Sequence, residues 1–82
     1  MDTQYQPINC SLYDYLEMWA VQQKLVDVIF IENQQQKTFS NVIIKDLKTI
    51  NKEEFVFLNN GQSLRLDQLI RINEIDFTRQ SC

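Results

Sequence analysis

Leu12, Tyr15, Leu16 and Trp19 fall at i, i+3, i+4 and i+7, one apolar stripe along a helix. This spacing predicts a helix over residues 11–23. Pro7 fixes its own φ and pushes Gln6 towards extended backbone, so residues 1–10 read as an extended arm. Ser11 followed by Asp14 is a capping-box-like start, with the carboxylate near the positive end of the helix dipole. Tyr13, Asp14, Glu17, Ala20 and Val21 line another side of the same cylinder. The helix therefore offers one apolar face to a core and an acidic, aromatic-edged face to something else.

Beyond the polar break at Gln22-Gln23-Lys24 the period changes. Residues 25–32 (LVDVIFIE) are rich in β-branched and aromatic side chains and nearly continuous in apolar character, which predicts a strand covered on both faces. Residues 37–44 form a second strand, with Phe39 and Val42 to Ile44 as its buried part; residues 46–50 either continue it or bend away. Phe55 to Leu58 is a short third strand. Asn59-Asn60-Gly61 is the strongest turn signal, because Asn-Gly tolerates positive φ. Residues 63–66 alternate as a fourth strand, Asp67-Gln68 interrupts, residues 69–75 form a fifth, and a frayed tail is expected over 76–82. One helix followed by about five short strands predicts a mainly β (α+β) fold. The strands form a strongly bent antiparallel sheet or open barrel, of the Sm-like order, capped by the helix.

With 82 residues the chain is a single domain. Cys10 and Cys82 are too few for a disulfide scaffold and fit free thiols in a reducing compartment. Cys10 reads as a small buried hydrophobe rather than a reactive thiol. No basic region or apolar run marks a signal peptide, and no run is long enough to span a bilayer, so a soluble cytoplasmic protein is expected.

Charge is unevenly placed. Residues 1–23 carry Asp2, Asp14 and Glu17 and no base, whereas residues 24–82 carry eight acids and eight bases. The net charge of −3 therefore resides in the helical quarter. Nucleic-acid binders show the opposite footprint, a clustered basic excess. Histidine is absent, which excludes His-based acid–base catalysis, Ser-His triads and His metal sites. The two cysteines have no zinc spacing, and a single glycine excludes a phosphate-cradling glycine-rich loop. Asp14 and Glu17 read as solvated anions at a helix start rather than a catalytic dyad. Neither an enzyme nor a cofactor is expected.

Tyr5-Gln6-Pro7-Ile8-Asn9-Cys10, followed by Tyr13-Asp14 and Leu16-Glu17, closely resembles the N-terminal signature of the Rof family of bacterial Rho-binding antiterminators. Leu64-Arg65-Leu66-Asp67 resembles that family's second block; between the two, the match is in length, strand order and the Asp46-Leu47 pair. The resemblance implies an Sm-like barrel with an N-terminal helix. It also implies a non-enzymatic inhibitor of Rho-dependent transcription termination, which binds the N-terminal OB-fold region of Rho and keeps RNA from its primary site. Carried over by position, Asp14 and Glu17 would meet basic side chains of Rho, followed by Tyr13, Asn9 and Gln6. The Asn51-Lys52 connection corresponds to a family contact loop that matches poorly. Family members often carry further acids just before the tyrosine, where this chain has Ser11 and Leu12. The competing reading is a direct Sm-like RNA binder, which would need a basic patch assembled from Lys24, Lys45, Lys48, Arg65 and Arg71.

Overall fold

The computed structural model describes residues 10–78, with side chains from Leu12 onward. The arm over residues 1–9, residues 79–82 and the side chain of Cys10 lie outside that description. Helix α1 spans Cys10–Gln22. Strands β1 (Leu25–Glu32), β2 (Gln35–Ile50), β3 (Glu53–Leu58), β4 (Ser63–Arg65), β5 (Leu69–Ile72) and β6 (Ile75–Asp76) follow, with a 3-10 turn at Leu66–Gln68 between β4 and β5. They form one antiparallel sheet in the order β4-β3-β2-β1-β5-β6. The sheet is not closed: β4 and β6 are its edges.

The fold class is as expected, with six strands where five were read. The frayed tail expected from Asp76 is not what residues 76–78 form. Ile75–Asp76 pairs with β5, Phe77 is buried, and the Phe77 amide donates to the Ile70 carbonyl. An aromatic ring has more to gain from the core than from fraying, and here it packs 6.4 Å from Trp19. The helix begins at Cys10, so Ser11 is inside it rather than capping it. Asp14 accordingly falls beyond the first turn, which holds no acid.

β2 gives the sheet its shape. Its first part pairs with β1 and its second with β3, and an irregularity marks each pairing. Between Val26 and Val28 of β1, the partners on β2 step from Val42 to Phe39, so β2 carries an extra residue there. Asn41, in that bulge, takes φ +55° and donates its amide to Asp27 Oδ1 at 3.0 Å. Between Ile44 and Asp46 the partner on β3 advances only from Leu58 to Phe57, a second bulge at Lys45. Bulges bend and over-twist the strand that carries them, and so one continuous strand serves both ends of the curved sheet. Residues 46–50 thus continue the second strand.

Two of the tight turns use asparagine instead of glycine, whereas the turn after β3 places Gly61 at φ +88°. Asn33-Gln34 and Asn51-Lys52 link paired residues as two-residue hairpin loops with positive φ throughout (+53° and +65°; +52° and +66°). This is the primed-turn geometry that matches strand twist, and Asn tolerates it better than other non-glycine residues.

Inside, β1 alternates cleanly: Val26, Val28 and Phe30 are buried, while Leu25 and Ile31 stand exposed. Its second face is therefore only partly covered, contrary to the continuous apolar reading. Leu12, Leu16 and Trp19 of α1 pack against this core, chiefly over β2, and Leu16 has no exposed surface. Tyr15, placed in the same stripe, lies at its edge, half-exposed and 5.5 Å from Trp19.

Leu16→Asp should abolish cooperative thermal unfolding, because a carboxylate would be buried without a partner. Val21→Asp, at a position 85% exposed, should shift stability by less than about 0.5 kcal/mol. Calorimetry of the two variants checks which face of α1 holds the fold; a folded Leu16→Asp protein would contradict this orientation.

Candidate functional site

With Leu12, Leu16 and Trp19 turned inward, the opposite side of α1 is the stripe Asp14, Glu17, Met18 and Val21, again at i, i+3, i+4 and i+7. All four are exposed. Neither the Asp14 nor the Glu17 carboxylate makes an ion pair or hydrogen bond among the described residues. Met18 was not singled out by the sequence pattern. Its signal was present, since it lies four residues after Asp14 and three before Val21. Ala20, expected on this face, is half-buried against the core instead.

Tyr13 is half-buried, packed against the core beside this stripe. Its phenol is raised above the ordinary value, first by burial and then by the charges of Glu54 and Glu17. Glu54 is the second residue of β3, just past the Asn51-Lys52 turn, so the fold brings the base of that hairpin near Tyr13. Asn51 and Lys52 themselves form the exposed hairpin tip. Asn9 and Gln6 lie outside the described residues.

The block Leu64-Arg65-Leu66-Asp67 belongs to the scaffold. Leu64 and Leu66 are core residues. Between them, Arg65 Nε donates to Asp67 Oδ1 at 2.7 Å, and its Nη1 lies 3.3 Å from Glu53 Oε2 on β3. Gln68 Oε1 accepts from the Arg65 amide at 2.9 Å, and Gln68 Nε2 donates to the Ile31 carbonyl at 3.3 Å. These contacts tie β4 and the 3-10 turn to β3 and to β1.

Of the five bases that an RNA-binding patch would need, Arg65 is committed to this staple. Lys48 pairs with Asp46 at 3.9 Å and lies 5.4 Å from the Phe57 ring centre. Beside the C-terminal half of α1 an open cavity of about 680 Å³ is lined by Tyr15, Met18, Trp19, Lys24, Glu74 and Ile75, among others. Among the described residues no cluster of three His, Cys, Asp or Glu is placed to hold a metal, and no helix is long and apolar enough to cross a membrane. No sequence model of a known family matches the chain, and no curated protein matches it in sequence.

Asp67→Asn should destabilise the fold by about 1–3 kcal/mol, because it weakens a pair that holds the partly buried Arg65 guanidinium. Denaturant unfolding measures this, and an unchanged midpoint would remove the staple from the account. Tyr13 supplies a pH test. Its folded-state phenol sits higher than in the unfolded chain, so its contribution is complete below about pH 10 and is lost as pH rises through the higher folded value. Glu54→Gln should move the phenolate absorbance titration part of the way back down, leaving the larger effect of burial in place.

Proposed function

We propose that this protein is a cytoplasmic, non-enzymatic inhibitor of Rho-dependent transcription termination. It occupies the N-terminal RNA-binding region of Rho with the acidic face of α1. The observation that carries this reading is the pairing of Asp14 and Glu17 on one exposed helical face, in a chain whose residues 24–82 are neutral. A surface that holds RNA is basic, and an acidic helix complements it electrostatically. The resemblance of residues 5–10, 13–14 and 16–17 to the Rof signature supplies the identity of the partner. Tyr13, Asn9 and Gln6 are the neighbouring contacts, and Asn51 and Lys52 are outlying ones. Direct RNA binding is the weaker reading: Arg65 is held by Asp67 and Glu53, so less of the proposed basic patch is left to neutralise phosphates.

Asp14→Lys should weaken binding to purified Rho by roughly thirtyfold or more, corresponding to about 2 kcal/mol, while leaving thermal unfolding unchanged. Wild-type affinity should fall as salt is raised. Isothermal titration at two ionic strengths measures both effects. An unchanged affinity for folded Asp14→Lys would remove the helix face from the mechanism. Retention of C-rich RNA by the protein in the absence of Rho would favour the RNA-binding reading.

A further inference from the structure

The acids account for only half of the outward stripe of α1. Asp14 and Glu17 occupy its N-terminal half, and Met18 and Val21 its C-terminal half. Val21 is 85% exposed and Met18 43% exposed. Single exposed apolar residues are ordinary on a protein surface, but these two are adjacent on one helical face. Met18 also borders a concavity: with Tyr15 and Trp19 it forms the helix side of the 680 Å³ cavity, which Lys24, Asp27, Asn73, Glu74 and Ile75 complete. An apolar ridge thus stands beside an open groove of mixed apolar and polar lining.

We infer that Met18 and Val21 are a second, apolar part of the same partner interface. They would seat against an apolar patch next to the basic surface that Asp14 and Glu17 meet, with a partner side chain entering the groove. The occupant is a protein surface, basic at one end and apolar at the other. Charge complementarity argues for it: the helical quarter carries the whole net charge of −3, which repels phosphate and attracts lysine and arginine. Interfaces of this kind place apolar contacts beside charged ones, and methionine adapts its shape to the partner's surface. This inference rests on the proposed binding to Rho.

The two halves of the stripe separate by their response to salt. Coulombic attraction between exposed charges is screened, whereas burial of apolar surface is not weakened by moderate salt. Val21→Ser and Met18→Ser should each reduce affinity for Rho by about tenfold, to a similar degree at low and at moderate ionic strength. Asp14→Asn should instead lose most of its effect as salt rises. All three positions are exposed, so circular dichroism should report unchanged folding.

Wild-type affinity in both serine variants would overturn the inference and leave the acidic contact standing. Binding of Rho by none of the proteins, wild type included, would overturn the proposed function and this inference with it. A change in the protein's own sedimentation in the serine variants, with Rho binding intact, would assign the ridge to self-association and so contradict the inference.

Discussion

An open, curved sheet leaves its apolar face in water unless something lies across it. In this protein that cover is α1, and Leu16, fully buried over β2, is the contact on which the arrangement turns. The rest follows from geometry. Once Leu12, Leu16 and Trp19 are fixed inward, the helical period turns Asp14, Glu17, Met18 and Val21 outward together. The same packing that completes the core therefore creates the exposed stripe on which the proposed function rests.

The curvature that makes the cover necessary comes from β2. Its two bulges let one strand pair with β1 along its first part and β3 along its second, and polar groups hold each bend. Asp27 illustrates this: its carboxylate accepts from the bulge amide of Asn41, while its backbone exchanges hydrogen bonds with Asn73 in the β5–β6 turn. An exposed aspartate thereby joins three segments of the sheet. On the other side, Arg65 joins Glu53 and Asp67. The charged side chains at these joints shape the fold.

Much of this was legible in the sequence. β1 was read at its true bounds, because a β-branched run between polar breaks has few alternatives. The inward stripe of α1 was equally clear, apart from Tyr15 at its margin. The bulges were not legible, since they depend on which residues oppose each other across strands, and single-strand periodicity carries no such information. β6 and Phe77 were missed for a related reason: a two-residue strand has no period, and only the neighbouring Trp19 makes Phe77 a core residue. Asp14 and Glu17 were singled out from charge placement, helical period and the family resemblance, and the helix does expose both. Met18 was assigned to neither face, although its spacing from Asp14 and Val21 already placed it on the outward one.

In the proposed function, the acidic face of α1 and RNA compete for one surface on Rho. The most direct measurement is the affinity of this protein for purified Rho across increasing concentrations of C-rich RNA. The account predicts an apparent dissociation constant that rises in proportion to RNA, with full binding recovered when the RNA is digested. A stable complex containing Rho, RNA and this protein together, formed with undiminished affinity, would contradict it.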